Sequence, residues 1–489
     1  MSLWTPVIGL EVHAEMLTNS KMFSPCPVVD SVEAPPNSAV DAVSMALPGT
    51  LPVINARAME YGLMVALALN CEIPPFNQFA RKSYFYPDLP KGYQISQYAH
   101  PLAVNGYLDI TLDDGTEKRI GITRAHMEED TGKSQHVGGG FSLVDLNRAG
   151  VPLLEIVSEP DIRSSAEAEA YARKLRAILQ YLGVNHGDMS KGVLRFEANV
   201  SIMHPDDIEF RTRTEIKNLN SIRSMVRAID AEVSRQIRLY EKGDTVKQAT
   251  LGWDENTGQI RIQRYKERAD EYRYFPEPDL PVVVMDAAYV DSIRAQLPEL
   301  PDAKAQRFQT ELGLSEYDAR LLVTEQAIAH YYEDVLAHGA GPKSAANWIL
   351  VTLFGLFNRE GMAREDIEHT RISARQLAEL ITLVDTNKLN KGSAEKVLGM
   401  MWETGDDPGN IVAREGLAQV SDESAIAAVI DDVLARNKAV MERYLSGEDK
   451  LFGALMGQSM GALKGQGNPQ IVKQILREKL DASKQSPGK

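Results

Sequence analysis

The chain has 489 residues, 44% hydrophobic and 25% charged, an ordinary globular balance. No run of 18 apolar residues occurs, which excludes a membrane-spanning helix. A net charge of −15 excludes indiscriminate nucleic-acid binding, which depends on phosphate neutralisation by Lys and Arg.

The length predicts about three domains. Cys26 and Cys71 offer no disulfide framework and fit a reducing compartment. With no basic-then-apolar leader at the N-terminus, a cytoplasmic location is expected.

In chain order, residues 7–15 alternate with period two and predict a strand. Ile8, Leu10 and Val12 then share one face, with Glu11 and His13 on the other. Residues 22–52 are loop-like. Residues 55–69 predict a helix with Asn55 as N-cap. Residues 81–98 crowd tyrosines, lysines and glutamines between prolines, which suits either a binding loop or a packed aromatic one. A strand over 120–127 runs into Glu128-Glu129-Asp130, and Gly138-Gly139-Gly140 predicts a hairpin tip.

The strand 153–157 is apolar except for Glu155. A buried carboxylate is expensive unless paired or metal-bound, so Glu155 is the residue that most demands a function. Residues 164–182 predict a helix opened by a Ser164/Glu167 capping box and closed by Gly183. Two more strands follow. Residues 194–201 place Arg195, Glu197, Asn199 and Ser201 on one face; 210–217 place Arg211, Arg213, Glu215 and Lys217 likewise. An amphipathic helix over 222–237 comes next, then a charged aromatic stretch at 270–279.

From about residue 292 alternation gives way to helical spacing, and 405–409 is a turn cluster. The expected fold class is therefore α+β. A β-rich domain over 1–291 precedes an all-α domain over 292–405 and a small all-α tail over 406–489. From residue 451 onward, six basic residues stand against two acidic ones.

Glu11, His13, Glu129, Glu155 and Glu197 come from different strands and could converge on one pocket. Carboxylates with one histidine suit Mg²⁺ with phosphates, the equipment of phosphoryl transfer. No nucleophile elbow, Cys/His pair or HExxH motif supports a hydrolase.

Eight stretches in order give a family resemblance: 7–15, 81–98, 126–134, 143–161, 195–201, 215–221, 272–279 and 457–469. The chain resembles the B subunit of the bacterial aspartyl/glutamyl-tRNA amidotransferase. The resemblance implies a cradle with a kinase site, a helical domain and a tRNA-gripping tail. It implies use of ATP and Mg²⁺ to phosphorylate the side-chain carboxylate of Glu misacylated on tRNA(Gln), or of Asp on tRNA(Asn). It further implies a heterotrimer, in which a glutaminase A subunit supplies ammonia and a small C subunit ties the other two together.

By position, the resemblance puts Glu11, His13, Glu129 and Glu155 in the metal and ATP site. Glu197 falls there too, although Asp is common at its place in the family. Lys82 and Lys91 match positions lining the ammonia tunnel. Lys464, Lys473 and Arg477, in the basic tail, are the expected tRNA contacts. Many family members carry a four-cysteine zinc knot; here the matching positions are Ser24, Cys26, Asp41 and Ser44, so no structural zinc is expected. The rival reading is a non-catalytic tRNA-binding scaffold. The carboxylate-bearing strands favour the enzyme, because a pure RNA module would be basic with exposed stacking aromatics.

Overall fold

The computed structural model describes residues 3–265, 272–419, 422–463 and 466–485. It is a mixed α+β protein with two compact units, Met1–Pro301 and Asp302–Lys489.

The first unit is built on strands β1 (Thr5–Glu15), β2 (Phe76–Ser83), β3 (Tyr93–His100), β4 (Ala103–Thr111) and β5 (Glu117–Glu129). A short hairpin of β6 (Lys133–His136) and β7 (Ser142–Asp145) follows, its tip at the three glycines. Then come β8 (Pro152–Ser158), β9 (Leu194–Met203), β10 (Thr214–Leu219), β11 (Ala249–Asp254) and β12 (Gln259–Tyr265). Eight strands form one sheet in the order β12-β11-β10-β9-β1-β8-β5-β4. Its pairings are antiparallel except β10 with β11. The chain's first strand thus lies in the middle of the sheet, between β9 and β8.

The two faces of that sheet differ because every strand alternates in the same sense. Ile8, Leu10 and Val12 of β1, Leu154 and Ile156 of β8, and Phe196, Ala198 and Val200 of β9 belong to one hydrophobic core. Helices α1 (Ala56–Ala68), α2 (Ser165–Tyr181) and α3 (Ile222–Glu241) contribute to the same core. Asn55 caps α1, and Ser164 caps α2 through the Glu167 amide. The Glu167 carboxylate accepts instead from Arg163 N, so the expected reciprocal box is displaced by one residue. The opposite face of the sheet carries the polar residues.

Two boundaries differ from the sequence reading. The strand expected over 210–217 begins at Thr214. Arg211 is drawn off by Asp207 and by the rings of Trp4 and Tyr240, 4.6 and 4.5 Å from its guanidinium carbon. In the second unit, the helix Pro408–Glu415 packs Ile411 and Val412 into the core of residues 305–412. A separate core of residues 426–480 serves the tail helices. The tail's own packing therefore starts past the turn at 405–409. Polar spacing marked that turn, but hydrophobic burial ties the helix after it to the preceding domain.

The 22–52 loop is pinned by a buried lysine. Lys21 is 1% exposed and donates to Ala39 O (2.8 Å), Ser44 Oγ (3.3 Å) and Leu146 O (3.3 Å). Ser44 N in turn donates to Asp41 Oδ1 at 2.8 Å. The chain thus supplies its own cation among the positions matching the zinc knot. Lys21→Met leaves those acceptors unsatisfied and is expected to lower stability by about 2–3 kcal/mol in denaturant unfolding. Elemental analysis of the wild type is expected to find no stoichiometric zinc; one zinc per chain would refute this account.

Candidate active site

On the polar face, strand register sets side chains opposite one another. His13 on β1 faces Glu155 on β8, and Glu155 faces His126 on β5. His13 Nε2 lies 3.3 Å from Glu155 Oε2 and 4.0 Å from Glu128 Oε1. His126 Nε2 lies 3.6 Å from Glu155 Oε2. Glu128 is fixed by Ser96 Oγ at 3.1 Å. His13, Glu128 and Glu155 each offer a ligand atom within 4.8 Å of the others.

A second triad adjoins the first. Glu11 faces Glu197 across the β1–β9 pair, and Glu215 joins from β10 with the same 4.8 Å grouping. Asn199 Nδ2 donates to Glu11 Oε1 at 2.8 Å. Lys217 Nζ reaches Glu197 Oε2 at 2.6 Å and Glu215 Oε1 at 3.6 Å.

The electrostatics follow from crowding at low polarity. Burial pushes Glu11 up, reinforced by the charges of Glu155, Glu197 and Glu215. Burial likewise raises Glu128 and pushes His126 down to about 4. Burial opposes charge on His13, but the Glu155 hydrogen bond and the surrounding carboxylates push it up to about 9. Burial also opposes ionisation of Glu155; the two imidazoles and Lys82 outweigh it and hold the carboxyl well below its usual range.

Lys82, on β2, belongs to this site. Burial disfavours its ammonium, but Glu128, Tyr274 and Glu155 hold its pKa above the usual value. Its Nζ lies 5.3 Å from the Tyr272 ring centre and 6.0 Å from that of Tyr84. The aromatic stretches of the sequence thus wrap this lysine; Asp270 and Glu271, at the start of the second stretch, lie outside the described residues.

Of the expected residues, Glu11, His13, Glu155 and Glu197 share the polar face, divided between the two triads. Glu129 does not join them. One residue past Glu128, it turns away, pairs with Lys91 and accepts from Ile95 N at 2.9 Å. Period-two alternation is the reason. Ala125 and Met127 face the core, so His126 and Glu128 face the site. The register shift between Ile122 and Arg124 reverses the parity set by Ile120 and Ile122, so alternation counted along the sequence from Ile120 puts Glu128 on the core face and misses it. Lys91 goes with Glu129. Lys464 lies outside the described residues, while Lys473 and Arg477 are exposed one turn apart on the helix Pro469–Gln485.

The donor set suits a hard divalent cation: carboxylate oxygens with one imidazole. His13 Nδ1 and Asn199 Oδ1 are buried without a partner among the described residues. The residues present therefore fit Mg²⁺.

Residues 6–291 match the family described as the GatB/GatE catalytic domain, and residues 330–480 match the GatB domain. Three relatives are B subunits of aspartyl/glutamyl-tRNA(Asn/Gln) amidotransferases. The one from Thermodesulfovibrio yellowstonii is 48% identical, over 96% of this chain and 98% of that protein. That of Moorella thermoacetica is 48% identical over 97% and 99%, and that of Myxococcus xanthus 47% over 98% and 99%. The catalytic-domain match spans every strand of the eight-stranded sheet and both triads. The chain belongs to the family of the aspartyl/glutamyl-tRNA(Asn/Gln) amidotransferase B subunits.

Proposed function

We propose that this protein uses ATP to phosphorylate the side-chain carboxylate of Glu misacylated on tRNA(Gln), or of Asp on tRNA(Asn), on the polar face of the sheet. The observation that carries the reading is the buried carboxylate–imidazole cluster beside the buried cation Lys82. A structural core would not collect so many like charges, whereas a site for phosphates and their counter-ion needs them.

The substrate carboxylate is already an anion, so the first step requires no general base. Its oxygen bonds to the γ-phosphorus, the bridging β–γ P–O bond breaks, and ADP leaves. Lys82 and Lys217 supply positive charge for the transferring group and hold it against the substrate. His13, Glu128 and Glu155 would hold Mg²⁺, with Glu11, Glu197 and Glu215 able to hold another cation. Bound there, Mg²⁺ supplies neutralisation and orientation of phosphate oxygens. Ammonia from a glutaminase A subunit, which a small C subunit fastens to this one, then attacks the acyl phosphate and expels phosphate. In this reading Lys82 also lines the path by which ammonia reaches the acyl phosphate. ATP turnover by the assembled complex is expected to rise on adding misacylated tRNA. Turnover indifferent to that tRNA would defeat the reading.

We further propose that the tail contributes a grip on tRNA. Lys473 and Arg477 are exposed, while Val472, Ile475, Leu476 and Leu480 of the same helix fill the tail core. Replacing both basic residues with Ala is expected to weaken tRNA binding and lower its log–log salt slope by on the order of 1–2. Removing residues 422–489 deletes one whole core without cutting another, and is expected to weaken binding further. Unchanged affinity in both would leave the tail a structural cap.

A further inference from the structure

Strand β5 delivers more than Glu128 to the polar face. Ile122 lies opposite Ser158 of β8 and Arg124 opposite Val157, so Thr123 is an extra residue at that point. Ile120 and Ile122 face the core before this bulge, and Ala125 and Met127 face it afterwards. The bulge therefore turns Arg124, His126 and Glu128 together onto the polar face, the re-aiming that bulges perform beside active sites. Thr123 Oγ1 fastens it by donating to Glu159 Oε1 at 2.7 Å. The phosphorylation chemistry described above makes no use of Arg124.

Three observations say what Arg124 can take. First, its charge is unmatched. The guanidinium makes no ion pair and no hydrogen bond among the described residues, and its Nε is buried. The charge on Glu155 is held, against burial, by the two imidazoles and Lys82. A partly buried cation without a partner is costly, and an incoming anion removes that cost.

Second, it faces the cluster. Burial pushes His126 down to about 4, and the charge of Arg124 adds to that push. Burial raises the Tyr274 phenol to about 12, while Lys82 and Arg124 favour its ionised form. Arg124 and Lys82 thus act on one space beside His126 and Tyr274.

Third, that space has an aromatic wall. Tyr274 stacks on Tyr98, with ring centres 4.1 Å apart and planes 8° apart. Tyr272 meets Tyr274 edge-on at 6.2 Å. Arg273 between them holds a left-handed φ of 46°, a costly conformation that persists where the surroundings fix it. Tyr98 is 51% exposed, so the wall opens to solvent at one side, where a large substrate can enter. Two cations beside an aromatic wall suit a carboxylate on a short aliphatic stem, because the guanidinium fork matches its two oxygens.

Position separates this anion from the phosphates. Arg124 on β5 and Lys217 on β10 are four strand intervals apart, on the order of 19 Å, and the triads span the distance. Displacement at phosphorus sets the attacking and leaving oxygens roughly in line, so acceptor and nucleotide approach from opposite flanks.

We infer that Arg124 is a binding residue for the acceptor, its guanidinium holding the side-chain carboxylate of the misacylated Glu or Asp beside the Tyr98–Tyr274 wall. This rests on the phosphorylation reading above. Arg124 grips one carboxylate oxygen. The other bonds to the γ-phosphorus, the bridging β–γ P–O bond breaks, and its electron pair leaves with ADP.

The test compares Glu-tRNA(Gln) with Gln-tRNA(Gln), whose side chain has the same shape without the charge. Binding to the assembled amidotransferase is measured with Mg²⁺ and without nucleotide. The wild type is expected to favour Glu-tRNA(Gln) about tenfold or more, as hydrogen bonds to a charged group do. Arg124→Ala is expected to bind both tRNAs alike, at the wild-type affinity for Gln-tRNA(Gln). Arg124→Lys keeps the charge, loses the fork and is expected to retain part of the preference; it decides the matter if the alanine variant does not fold. Absence of the preference in the wild type, or its full persistence in both variants, would overturn the assignment. So would a rise in the KM for ATP with the preference intact, measured with free ammonia, which would move Arg124 to the nucleotide phosphates. Wild-type enzyme that amidates without ATP would defeat the phosphorylation reading itself, a distinct outcome because the preference is read with no nucleotide present.

Discussion

Glu155→Gln is expected to abolish acyl-phosphate formation, lowering the rate by on the order of 10³-fold or more, the loss that follows from removing several kcal/mol of charge stabilisation. Glu155 lies where β1, β8 and β5 meet, with His13 Nε2 at 3.3 Å and His126 Nε2 at 3.6 Å. The amide keeps the shape of the carboxylate and loses its charge. His13→Ala removes the facing imidazole and is expected to have the same consequence. Both variants are assayed with free ammonia, which bypasses glutaminase and tunnel alike. Neither residue lies in the tail, so tRNA affinity should persist. Amidation of Glu-tRNA at a near wild-type rate by either variant would make the cluster structural.

The adjacent pair Glu128 and Glu129 is expected to divide into one functional and one structural residue. Glu129→Ala strands the Lys91 ammonium, whose side chain is only 10% exposed, and leaves Ile95 N without its acceptor. Breaking a buried ion pair from one side costs about 3–5 kcal/mol, so the first thermal transition should fall markedly. Pairing that change with Lys91→Met should recover much of the loss. Glu128→Gln does the opposite. It relieves a carboxylate that burial and Glu155 already disfavour, so the melting temperature should hold or rise while phosphoryl transfer is lost. Comparison of melting curves with ammonia-driven amidation decides the matter. An inactive Glu129→Ala with unchanged melting, beside an active Glu128→Gln, would return the catalytic role to Glu129.

Much of the site was legible because a strand is a local object. Period-two alternation in 7–15 and 194–201 placed Glu11, His13 and Glu197 opposite the core before any partner strand was known. Glu155 announced itself as one charge inside an apolar run. Parity does not separate Glu128 from Glu129 in the sequence, because a bulge between Ile122 and Arg124 reverses it midway along the strand. Helix ends were equally local: Asn55 and Ser164 cap the helices that their sequences predict. The eight family stretches carried the function.

What the sequence could not contain was strand order. Nothing local places the first strand between β9 and β8, and that placement alone turns scattered carboxylates into two triads. The turn at 405–409 is a related case, since a turn marks where the chain bends and not which core the next helix joins. Lys21 is the clearest case. It is a lysine beside a loop, a residue type that by itself points to no role. Lys21 acquires its role only when residues 39, 44 and 146 are folded around its ammonium. Periodicity and capping act within a few residues and are fixed by local sterics and solvation. Convergence of charges depends on contacts between residues far apart in the chain, which only burial of a common core brings together.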